Sequence, residues 1–383
     1  MFRSWTQIFR HLVLVGCGTL IGCGPGQKAL EAVTYAPAVR DDWPVSTPAA
    51  EGLDPLKLAR LYYNAQKLET LYGVLVVKNG KLIAEKYFNQ GWIDQLSGRM
   101  SATKSVISAV IGIALEQGKL SGLDQKMVEF FPESRDAIAD PRKKEITIRQ
   151  LLQMRAGYPW EEHYPEIFER LFLRDDWSWL PHVVDVPLVA DPGTAFGYSN
   201  LSSHLLAIIA ARACGGDIMP YAQKYIFDPI GAKIGAWTKD PYGYRWGHFE
   251  IYITARDMAK FGLLYFNGGS WNGKQVLPAA WVRDSLKRYS EGINFTGWLG
   301  SELGRHFRDL GYGYQWWSAR VGGHRFDFAW GHGGQLIVLL RDLDMIVVTT
   351  ADPLYYEPAE KGWAHEGAII DLVGEFISTL PSS

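Results

Sequence analysis

The chain has little cysteine: three residues in 383, namely Cys17, Cys23 and Cys214. Two of them lie close to the N-terminus, so a fold built beyond them holds one cysteine and no internal disulfide. Charge of one sign is also missing. The formal net charge is −2 and there is no run of like charges, which argues against a nucleic-acid partner, since such a partner needs a basic face. No segment repeats at a fixed period, which excludes a solenoid. G-x-S-x-G is absent, arguing against an α/β-hydrolase, and H-E-x-x-H is absent, arguing against a zinc peptidase. The nine histidines show no metal-ligand spacing, so neither a metal nor another cofactor is implied.

Apolar residues make up 47% of the chain, enough to bury a core in one large domain or two intermediate ones. Fifteen Trp is a high count, to be divided between core packing and the lining of a substrate cleft. The first residues read as an export signal. Arg3 and Arg10 precede Leu12-Val13-Leu14-Val15, and small residues lead on to Leu20-Ile21-Gly22-Cys23. The stretch is shorter than the about 20 residues a membrane-spanning helix needs. Its end resembles a bacterial lipobox, in which Cys23 is acylated and becomes the mature N-terminus. Leu14-Val15-Gly16-Cys17 fits the same pattern but leaves a very short apolar region, and a soluble export signal that happens to carry Cys is the alternative. With Gly24 rather than Asp after the cysteine, the expected location is the cell envelope, at the outer membrane and facing the periplasm.

The expected organisation is a signal over 1–23 with a lipidated Cys23, a Gly/Pro/Ala-rich tether over 24–50, and one domain over 51–383. Asp54-Pro55 is an N-cap followed by Pro at the first helical position, opening a helix to about Leu68. Val74 to Val77 and Leu82 to Phe88 flank Asn79-Gly80, which predicts a β-hairpin. Helices are predicted over Ser101–Gln117, Ile148–Met154, Leu201–Ala213 and from a capping box at Thr254 to Asp257. Cys214, at the end of one of them, reads as buried packing. Strands are predicted over Tyr314–Ser318, Phe326–Trp330, Leu336–Leu340 and Met345–Thr350, and a closing helix over Ala368–Ile377. Strands at both ends with helices between them give an α+β fold. An antiparallel sheet would be flanked by N- and C-terminal helices, with an inserted helical lobe and a cleft at the junction.

Three short patterns carry chemistry. Ser101-Ala102-Thr103-Lys104 is S-x-x-K, which on a helix puts hydroxyl and amine on one face; a desolvated Lys can then serve as base to the Ser. The other reading of Ser101 is a helix N-cap. Tyr198-Ser199-Asn200 is Y-x-N, placed after a Pro192-Gly193-Thr194 turn and directly before an apolar helix. Tyr62, Tyr87 and Tyr265 also precede Asn by two residues, but they fall within predicted helices or the hairpin. A phenol held near Lys⁺ is expected to ionise more easily and to shuttle a proton. Gly331-His332-Gly333-Gly334-Gln335 lies between two strands, either as a tight turn or as an edge against which a substrate lies.

In this order the three patterns resemble the serine β-lactamase and penicillin-binding-protein superfamily. The likeness extends over Asp42 to Pro48, Ile146 to Met154, Ile253 to Gly262 and Trp330 to Gln335, from about residue 42 to the C-terminus. It is strongest to the class C-related branch, and within it to the 6-aminohexanoate-dimer hydrolases and related esterases. The resemblance implies that Ser101 is acylated, that Lys104 and Tyr198 share proton transfer, and that Asn200 orients Lys104 or the substrate. It further implies that the oxyanion sits between the backbone N–H groups of Ser101 and Gln335. Where the family has K-T-G or H-T-G, this chain has His332-Gly333-Gly334, so a permanent cation for a substrate carboxylate is missing, although His332 can be protonated. The expected activity is serine hydrolysis of a small-molecule ester or amide. The alternatives are a D-alanyl-D-alanine carboxypeptidase or β-lactamase acting on cell-wall peptides or β-lactams, and a catalytically silent binding module.

Overall fold

The computed structural model describes residues 25–172, 182–295, 303–352 and 359–382. Helix α1 (Pro55–Ala65) starts where Asp54 accepts a hydrogen bond from Leu56 N, with Pro55 at its first position. Strands β1 (Leu71–Lys78) and β2 (Lys81–Tyr87) meet at Asn79-Gly80, where φ is 51° and 74°. Both values are left-handed, as the tight hairpin turn between right-twisted strands requires. Helices α2 (Thr103–Glu116), α3 (Asn200–Cys214) and α4 (Ala255–Phe266) form the middle of the chain. The strands then resume as β3 (Ser290–Glu291), β4 (Arg308–Tyr312), β5 (Trp317–Val321), β6 (His324–Gly331), β7 (Gln335–Leu340) and β8 (Met345–Ala351). Helix α5 (Ala359–Ser378) follows.

Among the described residues these eight strands make one antiparallel sheet in the order β2-β1-β8-β7-β6-β5-β4-β3. Strand β1 therefore closes against β8 from the far end of the chain, and both have a paired strand on each side. That is why Val74 to Val77 is continuously apolar: alternate side chains serve opposite faces and both faces are covered. Leu75 and Val77 join Ile337 and Leu339 in the core beneath α4 and the helical lobe. Val74 and Val76 join Leu336 and Val338 in the core under α1 and α5. In the lobe, α2 packs on α3, and every residue from Thr103 to Ala114 is buried. A helix buried on all sides shows no amphipathic stripe.

Several expectations are corrected. The stretch expected as a tether is packed against the domain: Trp43 is buried and donates to Gly80 O (2.9 Å), Ser46 N donates to Leu82 O (3.0 Å), and Asp42 pairs with Arg256 (2.6 Å). Leu30 is buried as well. Strand β5 starts three residues after the predicted Tyr314, because the backbone around Gln315 is left-handed (φ 60°) and turns there. Strand β4 was not predicted, and α5 begins earlier than the predicted Ala368. Cys214 is only half-buried, packed at the edge of the lobe's core.

Candidate active site

The site is built where the lobe meets the sheet. Met100–Ala102 form a turn of 3-10 helix that runs into α2. Met100 is left-handed (φ 43°), a costly conformation for a residue with a side chain, and it stands directly before Ser101. Ser101 is half-buried, whereas Lys104, one turn later, is 1% exposed. Lys104 Nζ lies 2.8 Å from Ser101 Oγ and 2.8 Å from Asn200 Oδ1, and donates to the His248 carbonyl at 3.2 Å. Burial lowers the Lys104 pKa to about 7, against the pull of the nearby Glu162 and Glu161 charges. Its Nζ also sits 4.8 Å from the centre of the Tyr198 ring.

The second pattern is held from below by an acid. Ser199 caps α3, its side chain accepting from Ser202 N, so Asn200 is the first helical residue. The fully buried Glu161 accepts from Ser199 Oγ (2.8 Å), Asn200 N (3.0 Å) and Leu201 N (3.0 Å). A carboxylate at the N-terminus of a 15-residue helix meets both unpaired N–H groups and the positive end of the helix dipole. Burial, with the repulsion of Glu162, raises the Glu161 pKa, and burial raises that of Glu162.

The Tyr198 phenol behaves contrary to expectation. Burial pushes its pKa well above the ordinary value, and the charges of Glu162 and Glu161 push the same way; hydrogen bonding with Ser101 and Trp317 only partly offsets this. The depth of burial thus outweighs any easing of ionisation by the neighbouring Lys104, and it favours the neutral phenol.

In the third pattern, Gly331 ends β6 and Gln335 opens β7. A Cβ on Gly331 would collide with the Arg99 carbonyl oxygen and sit 3.1 Å from Ser101 N, so only glycine lets the strand run against the Ser101 backbone. Gly333 and Gly334 are left-handed (φ 84° and 95°) and make the turn. The fully buried Gln335 side chain faces away. Its Oε1 accepts from Arg99 (3.1 Å) and its Nε2 donates to Ala351 O (2.9 Å), so only its backbone can serve the site. His332 Nδ1 lies 2.6 Å from Glu366 Oε2. Burial opposes the imidazolium, but the Glu366 charge close to Nδ1 outweighs it, with Glu162 adding to it, and the His332 pKa lies above its ordinary value.

Rings join the second and third patterns. Tyr198 touches Trp160 (5.5 Å between centroids) and Trp317 (5.2 Å). Phe295 touches Trp160 (5.2 Å) and Trp330 (4.8 Å), and Trp363 reaches His332 (4.7 Å). Behind Trp160 and Phe196 a cavity of about 550 Å³ opens, walled also by Tyr164 and Tyr289. Both readings of the tryptophans hold in part: Trp237 and Trp316 are core, while Trp160, Trp317 and Trp363 border the site.

The structure thus brings Ser101, Lys104, Tyr198 and Asn200 into one cluster, with His332, Gly333, Gly334 and the Gln335 backbone beside it. Cys23 lies outside the described residues. Glu161, Glu162 and Glu366 were not anticipated; they come from segments distant in sequence and carry no local signature.

The profile described as Beta-lactamase matches residues 65–368. A 6-aminohexanoate-dimer hydrolase of Paenarthrobacter ureafaciens is 25% identical over 321 residues, spanning 79% of this chain and 78% of that protein. A Bacillus anthracis protein provisionally assigned as a 6-aminohexanoate-dimer hydrolase superposes with a TM-score of 0.63 at 21% identity, covering 91% of this chain and 89% of that one. The structure of EstCE1, described as a hydrolase with promiscuous acyltransferase activity, gives a TM-score of 0.63 at 18% identity over 83% of this chain and 98% of that one.

Proposed function

Because the chain belongs to the Beta-lactamase family and is a serine hydrolase, we propose that it cleaves an ester or amide through an acyl-enzyme on Ser101. The observation that carries this reading is the set of partners around Lys104. A neutral amine has two hydrogens and one lone pair. Asn200 Oδ1 and the His248 carbonyl accept the two hydrogens, and the lone pair is left for the Ser101 hydroxyl. Burial makes that neutral form accessible near pH 7. Ser101 gives its proton to Lys104 as Oγ attacks the acyl carbon, and the oxyanion faces the backbone N–H groups of Ser101 and Gln335. Tyr198, as a phenol, passes its proton to the leaving group and is reprotonated from Lys104. Water then releases the acyl group by the reverse sequence. Loss of p-nitrophenyl ester turnover in Ser101→Ala tests the reading; full activity in that variant refutes it.

The charges around the site favour uncharged acyl substrates over β-lactams and D-Ala-terminated peptides. His332 is matched by Glu366, and Glu162 adds negative charge beside Lys104, so no net positive charge awaits a substrate carboxylate. The aromatic rings between Tyr198 and His332 suit an apolar acyl or leaving group.

The reading includes a lipid anchor on Cys23, at the outer membrane and facing the periplasm. It is supported by the lipobox-like Leu20-Ile21-Gly22-Cys23. With Leu30 and Trp43 buried against the domain, such an anchor would hold the catalytic body close to the bilayer.

A further inference from the structure

The carboxylate of Glu366 reaches across from α5 and is 1% exposed. It accepts from Trp330 Nε1 (2.5 Å) and Gly333 N (2.9 Å), and it lies 2.6 Å from His332 Nδ1. These three groups lie at the end of β6 and in the first half of the turn to β7, so one buried acid holds the entry to that turn. We infer that Glu366 is a positioning residue that fixes this turn and makes His332 a hydrogen-bond donor to the substrate through Nε2.

The tautomer of His332 sets what its outer nitrogen can do. A carboxylate facing Nδ1 requires a proton on that nitrogen. In the neutral ring Nε2 is then a lone pair, an acceptor; in the imidazolium it carries a hydrogen and donates. The His332 side chain is 27% exposed, which leaves Nε2 the free end. The acidic groups facing the ring are Glu366 from α5 and Glu162 from the turn after Trp160, and both favour the imidazolium against the cost of burial; the Trp363 ring packs against it. His332 therefore donates over a wider pH range than an isolated histidine would. The group it meets is an acceptor, such as a carbonyl or carboxylate oxygen of the substrate beyond the scissile bond. Only this last clause rests on the acyl-enzyme reading.

The test titrates the His332 ring by NMR in the full chain, assigned by its loss in His332→Gln. It also follows kcat/KM for a p-nitrophenyl hemisuccinate relative to p-nitrophenyl butyrate across pH. The expected midpoint lies above the ordinary 6.5, and Glu366→Gln lowers it by about one unit or more. The hemisuccinate preference falls through the same midpoint, moves with it in Glu366→Gln, and is flat with pH in His332→Lys. A wild-type midpoint at or below 6.5, or one unmoved in folded Glu366→Gln, overturns the inference, as does a pH-dependent preference retained in His332→Lys. If Glu366→Gln fails to fold, the wild-type midpoint and His332→Lys still decide. If neither ester is turned over, the acyl-enzyme reading fails separately, and the NMR midpoint alone decides the role of Glu366.

Discussion

Asn200 joins the first two sequence patterns: its Oδ1 lies 2.8 Å from Lys104 Nζ, while its backbone N donates to Glu161 at 3.0 Å. The amine of the first pattern is thus held by the second, and the second by a buried acid. Because Asn200 begins α3 and Lys104 lies in the first turn of α2, the packing of two lobe helices sets the geometry of the amine.

With Lys104 as the proposed base, activity is expected to depend on its unprotonated fraction. With a pKa of about 7, kcat/KM is expected to climb with pH through that value and level off above it. Lys104→Ala is expected to lower turnover at least about a hundredfold. A pH–rate profile with no acid limb, or near-normal rates in Lys104→Ala, would remove the amine from the mechanism.

Glu161 supports the site through structure. Glu161→Ala leaves a buried hydroxyl and two helix N–H groups without their acceptor. The expected loss of unfolding free energy is roughly 2–4 kcal/mol, with Glu161→Gln losing less because it keeps one acceptor oxygen. Urea unfolding measures both, and an unchanged midpoint in Glu161→Ala would show that water satisfies those groups instead.

Local patterns were readable in the sequence, and burial was not. Asn79-Gly80, Asp54-Pro55 and Thr254 each announced a turn or a helix start, because backbone conformation there depends on a few adjacent residues. Strand β4 was hidden because Arg308-Asp309-Leu310-Gly311-Tyr312 holds no β-branched residue, and its place comes from pairing with β5. Ser101 and Lys104 were found together because a helix brings them together. Glu161 and Glu366 reach the site from elsewhere in the chain, and no spacing could reveal them. The Tyr198 phenol follows the same rule: the charge of Lys104 is legible in the sequence, and the depth of burial that outweighs it is not.

Substrate preference is expected to follow from the matched charge at His332. For a cephalosporin, an imidazolium already matched by Glu366 holds the carboxylate less firmly than an unpaired cation would, and losing one charge-assisted hydrogen bond costs about 1.5–3 kcal/mol, or roughly ten- to a hundredfold in rate. Short p-nitrophenyl acyl esters need no such contact. Their kcat/KM is expected to exceed that of the cephalosporin, and the opposite order would show that the pocket holds a carboxylate by other means.

Attachment to the membrane is expected to depend on Cys23. Several acyl chains together anchor stably where one alone does not. Cys23→Ser is therefore expected to move the protein into the soluble fraction on detergent-free separation, and unchanged membrane association would rule out lipidation at that residue.

The most direct measurement is the site of covalent capture by an acyl-mimicking phosphonate. After incubation with the intact chain, peptide mapping by mass spectrometry should find one adduct, on Ser101, that is lost in Ser101→Ala. The rate of labelling should drop in Lys104→Ala, since the hydroxyl loses the amine 2.8 Å away. An adduct on any other residue, or labelling that persists in Ser101→Ala, would contradict the assignment of Ser101 as the nucleophile.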